Sequence, residues 1–179
     1  GTGESPAPVL AAMAARLEAM GATALAMPCN TAHHYAGAIR VAARIPFLDM
    51  VALSAAACTG AEGGRIGMLA SPAVRRTELF ERAFAAHRLE AVWPDDEAGL
   101  LASIRAIKAG GASEAAAAGL RAASARLAEA GARAQLVACT EFSLAMHLLP
   151  EDVDARDTLD ALVAAIVAHA TTPAKARRR

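Results

Sequence analysis

Apolar and polar positions along the chain alternate between two periods. Val9, Leu10, Met13, Leu17 and Met20 recur at helical spacing. Ser5-Pro6 ahead of them suits a helix start, and Gly21 suits the position just past a helix end. Residues 22–27 then form a short apolar run without polar alternation, as a strand buried on both faces would. After a turn at Cys29-Asn30-Thr31, the pattern predicts a helix over residues 33–43. Further strands are expected over 45–48, 66–70, 89–93 and 136–138. Further helices are expected over 51–58, 72–87, from the acidic start at 94–97, over 112–130 and over 157–169. Strands alternating with helices of this length predict an α/β fold with a mainly parallel sheet flanked by helices.

Two stretches of the pattern coincide. RLEAMGATALAMPC (residues 16–29) aligns without gaps on RLAEAGARAQLVAC (residues 126–139), so that Cys139 lies 110 positions after Cys29. Matching alanines mean little in so alanine-rich a chain, but Arg-Leu, Gly and Cys in register mean more. Each stretch reads as helix, glycine cap, buried strand and then a cysteine at the carboxyl end of the strand. The repeat predicts two pseudo-symmetric lobes that each present one thiol. Residues 1–52 with 148–172 are assigned to the first lobe, 53–147 to the second, and 173–179 to a basic tail.

Composition narrows the function classes. The 18 basic and 18 acidic residues balance, and four of the basic ones crowd into the last five positions. The body of the chain is therefore mildly acidic, which argues against a nucleic-acid partner. No apolar run is long enough to cross a bilayer, and GTGESPAP at the start lacks the features of a signal peptide. Three scattered cysteines without a CxxC suggest reduced thiols and a cytoplasmic location rather than a disulfide scaffold.

The placement of two of these thiols suggests chemistry. Ligands of open α/β sheets bind at the carboxyl ends of the strands, where backbone N–H groups attract carboxylates and favour thiolates. Cys29 is followed by Asn30-Thr31 and Cys139 by Thr140-Glu141, and the short hydroxyl and amide groups among these are suited to capping and to anion binding. A thiolate on one face of a carbon and a thiol on the other can remove and return a proton, which is racemisation or epimerisation without a cofactor. No P-loop, no GxGxxG and no evident lysine site for pyridoxal phosphate is present. Cys58, set among alanines, reads as core. Cys29 and His33 are four apart, but no third ligand clusters with them, so no metal is expected and His33 is read as a partner supporting the thiol. The remaining histidines carry no special signal.

PCNTAHHY (residues 28–35) and ACTEFSL (138–144) resemble the two cysteine motifs of the aspartate/glutamate racemase family, in its aspartate racemase branch. GTGESP (1–6) is similar to that family's glycine-rich loop. The resemblance covers nearly the whole chain. It implies cofactor-independent racemisation of a free acidic amino acid, with aspartate as the first expectation, between two α/β lobes in a homodimer. By motif position Cys29 and Cys139 are the acid/base pair. Asn30, Thr31 and Thr140 hold the α-carboxylate, Lys108 holds the side-chain carboxylate, and Ser71 supplies a further hydroxyl, whereas Val74 stands where the family usually has threonine. The family pattern also places a strand–helix unit and an arginine ahead of the GTGESP-like loop, so the first lobe is expected to lack its first unit. The alternatives are a related two-thiol isomerase of the maleate or hydantoin type, or an inactive remnant that binds a small anion or a partner subunit.

Overall fold

The computed structural model describes residues 3–173. Gly1 and Thr2 of the glycine-rich loop, and all of the basic tail but Pro173, lie outside the described residues. Helix α1 (Ala7–Ala19) leads into strand β1 (Leu25–Ala26), and a 3-10 turn (Thr31–Tyr35) runs into α2 (Ala36–Ala42). Then come β2 (Phe47–Leu48), α3 (Met50–Ala57), β3 (Arg65–Ala70), α4 (Pro72–Thr77), α5 (Leu79–Ala85) and β4 (Glu90–Val92). The chain continues through α6 (Glu97–Gly110), α7 (Ala118–Glu129), β5 (Ala134–Ala138), α8 (Thr140–Ser143), β6 (Asp154–Asp157) and α9 (Thr158–Thr171).

The strands form two parallel sheets. β1 pairs with β2, while the larger sheet has the order β4-β3-β5-β6. From β3 the chain steps outward to β4, returns to the other side of β3 as β5, and continues to β6. The order therefore reverses between β3 and β5, and a crevice opens outside the carboxyl ends of strands at such a point. Register places Ala70 beside Ala138, so the next residues, Ser71 and Cys139, leave the sheet together.

The repeat is visible in backbone detail. At the end of α1, Met20, Gly21 and Ala22 donate their N–H groups to the carbonyls of Arg16, Glu18 and Leu17. At the end of α7, Ala130, Gly131 and Ala132 donate to Arg126, Ala128 and Leu127, the same bonds shifted by one repeat. Gly21 and Gly131 sit at φ of 96° and 81°, the left-handed conformation that this helix stop requires. After that the two units diverge. β5 lies between β3 and β6 and is buried throughout, whereas β1 has two residues and one partner strand.

The core follows the layers. Ile66, Met68, Phe80, Phe84 and Leu136 fill one face of the large sheet, with Cys58 fully buried beside them. Leu69, Leu100, Ile107, Leu120, Leu127 and Phe142 fill the other face. A smaller cluster of Ala14, Leu25, Ile39 and Ala43 joins α1 and α2 to β1.

Several elements differ from the sequence reading. The helix expected over 72–87 is two helices, broken where Glu78 takes a φ of 51°. The alanine-rich helix begins at Ala118 rather than 112, because Ala116 and Ala117 tuck into the core in a turn fixed by Ser113. β6 was not expected at all. Its sequence, Asp-Ala-Arg-Asp, has no apolar pattern, and charged residues are tolerated there because the strand lies at the sheet edge. Residues 154–157 thus pair with the large sheet, although the helix that follows them packs on α3 and β2.

Candidate active site

Four loops leave the carboxyl ends of β1, β3, β5 and β6, and they carry most of the residues singled out above. Cys29 follows β1 after a tight turn in which its N–H reaches the carbonyl of Met27 at 2.8 Å. Its side chain is exposed, and no hydrogen bond to it is formed among the described residues. Asn30, one residue on, is 3% exposed and turns inward. Its Nδ2 donates to Thr158 Oγ1 at 3.0 Å, and Thr158 Oγ1 donates in turn to the carbonyl of Val137 at 3.1 Å. Val137 lies on β5, two residues before Cys139. This buried chain of three groups ties the Cys29 loop to the strand that delivers the second thiol.

His33 fixes the same loop from the other side. Its Nδ1 donates to the carbonyl of Cys29 at 2.8 Å, and its Nε2 accepts the N–H of Met50 at 3.1 Å. Because Met50 can only donate, Nε2 must be the unprotonated nitrogen. Burial holds the imidazole below its ordinary pKa, against the opposing pull of the Cys29 carbonyl and Asp49. His33 therefore supports the loop backbone, not the thiol itself. Asp49 caps α3 through the N–H groups of Val51 and Ala52 and pairs with Arg40.

Cys139 is half-buried at the head of α8. Its Sγ donates to Glu141 Oε2 at 3.2 Å. Burial and the neighbouring carboxylate push the thiol up to about 12, and the N–H groups of Glu141 and Phe142 only partly oppose them. The expectation that a helix start would lower this thiol's pKa is not met. α8 is a single turn of four residues, too short to outweigh desolvation and an adjacent anion.

Ser71 stands at the N-cap position of α4, beside Cys139, without a side-chain capping bond, and α4 also touches the turn that follows Cys29. Thr31 and Thr140 are each partly exposed, directly after Asn30 and Cys139. Lys108 reaches this end of the fold by a longer route. α6 runs antiparallel to α7, as Gly119 N–H bonded to Ser103 and Arg126 paired with Asp96 show. A side chain on Gly119 would collide with the backbone of Gly99, so the crossing depends on this glycine. Since α7 leads into the start of β5, the far end of α6 lies on the Cys139 side, where Ile107 shares a core with Phe142. Lys108 is exposed there and forms no ion pair among the described residues. Val74 is 1% exposed and belongs to the core.

Three contributors were not singled out from the sequence. Glu141 was part of a quoted motif but was given no role. Thr158 and the N-cap Asp157 were legible only as a helix start: Asp157 accepts the nearby Leu159 N–H, while Asn30 and Val137, the partners of Thr158, are remote in sequence. Among the described residues no group of three or more His, Cys, Asp or Glu side chains is placed to hold a metal ion. No helix there is long and apolar enough to cross a membrane.

The sequence model of the Asp/Glu/hydantoin racemase family matches residues 1–168. The chain belongs to that family. Its members are isomerases that work without pyridoxal phosphate. Solved racemase structures share the fold. Aspartate racemase of Picrophilus torridus superposes with a TM-score of 0.80 at 23% identity, covering 98% of this chain and 74% of that one. An aspartate racemase homologue from Pyrococcus horikoshii gives 0.76 at 17% identity, covering 93% and 74%. A glutamate racemase isoform from Bacillus anthracis gives 0.67 at 18% identity, covering 96% and 69%. The two parallel sheets flanked by helices are thus the architecture of the racemase fold.

Proposed function

We propose that this chain interconverts the enantiomers of an acidic amino acid, aspartate before others, with Cys29 and Cys139 as its two acid/base groups. The observation that supports this most directly is the buried Asn30–Thr158–Val137 connection, which holds the loop of one thiol against the strand of the other. In this reading one sulfur takes the α-proton as the other returns a proton to the opposite face. Both steps need the carbon held between them within a few tenths of an ångström, and positioning of that kind accounts for much of enzymic rate. In this reading the hydroxyls of Thr31, Thr140 and Ser71 hold the α-carboxylate. The second Nδ2 hydrogen of Asn30 can join them while the first stays on Thr158. Lys108 supplies the cation for the side-chain carboxylate, which favours aspartate over a neutral amino acid.

The experiment is incubation with single enantiomers of aspartate, glutamate and alanine in D₂O, following α-proton exchange by NMR and optical inversion by chiral chromatography. Exchange and inversion of aspartate are expected, with both lost in Cys29→Ala and Cys139→Ala. Inversion that survives either substitution would rule out the two-thiol mechanism. Turnover of a hydantoin instead of any free amino acid would move the assignment to that branch of the family.

A further inference from the structure

The Cys139 thiol lies against a carboxylate that the two-thiol scheme does not use. Glu141 Oε2 stands 3.2 Å from Cys139 Sγ, within hydrogen-bond reach for sulfur, and Thr140 Oγ1 lies 3.5 Å from the same oxygen. Glu141 is partly buried, and it makes no ion pair with Lys or Arg among the described residues. Its negative charge is therefore not cancelled by a neighbouring cation. Charged groups on the surrounding elements are Lys108 at the end of α6, Arg156 on β6 and Asp157 and Asp160 at the start of α9. None of them joins Glu141 as a charge acting on this sulfur.

We infer that Glu141 is a positioning residue for Cys139: its carboxylate accepts the thiol proton and keeps Cys139 the proton donor of the resting protein. The inference rests on the two-thiol reading above for its meaning in turnover, though not for its geometry. In the direction this favours, the substrate Cα–H bond breaks and its proton goes to the Cys29 sulfur. The Cys139 S–H bond breaks as a new Cα–H bond forms on the other face. Turnover then leaves a Cys139 thiolate beside the Glu141 carboxylate. Two like charges at this separation are unfavourable. Cys139 takes a proton back from water, and Cys29 releases one to it, which restores the starting state. The two thiols are thus unequal, although the repeat brings each of them out beyond the carboxyl end of a strand. The corresponding position after Cys29 is Thr31, which carries no charge.

The test needs no substrate. The intact protein is labelled with iodoacetamide across neutral to alkaline pH, and modification of Cys29, Cys58 and Cys139 is followed by peptide mass spectrometry. In the wild type, Cys139 should label with a midpoint well above the ordinary thiol value of about 8.5. Glu141→Gln, which can donate to a thiolate instead of repelling it, should shift that profile down by at least about one unit. Labelling of Cys139 at mildly alkaline pH should then be roughly 10-fold faster, since the thiolate is the reactive form. Cys29 should be unchanged, and fully buried Cys58 should stay unlabelled, reporting that the fold is intact. Glu141→Asp should keep most of the upward shift. An unaltered Cys139 profile in Glu141→Gln would overturn the inference. So would a wild-type midpoint at or below the ordinary value, a result that does not depend on any variant folding. Failure here leaves the racemase reading standing, and absence of α-proton exchange leaves the labelling result standing.

Discussion

Asn30 and Thr158 are 128 residues apart in the chain and meet in a buried hydrogen bond of 3.0 Å. Through Thr158 the loop that carries Cys29 is joined to β5, whose end carries Cys139. The two thiol-bearing segments are thereby joined through a buried side-chain connection.

Thr158→Val preserves shape and removes the hydroxyl, leaving Asn30 Nδ2 without the acceptor it has in the fold and the carbonyl of Val137 without this donor. Unpaired buried polar groups cost about 1–3 kcal/mol. Urea denaturation should show a loss of that size, and the melting temperature should drop by roughly 2–4 °C for each kcal/mol. If this tie sets the distance between the thiols, racemisation should fall more than binding does. A shift of about 1 Å can cost around 100-fold in rate. An unchanged kcat would show that the loop is held by other contacts.

His33 predicts a pH-dependent stability. Its imidazole is neutral in the fold, with a pKa depressed below the free value of 6.5. Above 6.5 both folded and unfolded forms are neutral there, and the contribution is fully present. As the pH falls below 6.5 the unfolded chain binds the proton first, so stability declines until the folded pKa is reached. His33→Gln should flatten this part of the stability–pH curve, measured by chemical denaturation at a series of pH values. An identical curve for both proteins would remove His33 as the source.

Gly21 and Gly131 should respond alike to substitution, since both hold the same helix stop at positive φ. Alanine at either position is strained in the left-handed region by about 1–2 kcal/mol. Thermal unfolding of Gly21→Ala and Gly131→Ala should show comparable losses. A neutral effect at Gly21 alone would mean that α1 can end in another way.

Lys108→Ala tests the side-chain carboxylate site. A charge-assisted hydrogen bond contributes about 1.5–3 kcal/mol, or roughly 10- to 150-fold in affinity. KM for aspartate should rise by such a factor while neutral amino acids are unaffected. Equal losses for both would make the lysine structural.

Much of this protein was legible in its sequence because the signals are local. A glycine three residues after Glu18 or Ala128 stops a helix wherever the rest of the chain goes, and a short apolar run that ends in a cysteine places that cysteine at a strand end. Hence the α/β alternation, the repeat and the exit points of Cys29 and Cys139 could be read directly. Local pattern says little where stability comes from partners. β6 is a strand only because β5 lies beside it, since nothing in Asp-Ala-Arg-Asp favours one alone. The late start of α7 was likewise decided by core packing, which buries Ala116 and Ala117, rather than by propensity. The protonation of Cys139 depends on how deeply β5 is buried and on where the Glu141 carboxylate comes to rest, both set by the folded chain. The bond between Asn30 and Thr158 joins groups that share no sequence pattern, and only the arrangement of β1, β5 and α9 brings them within reach.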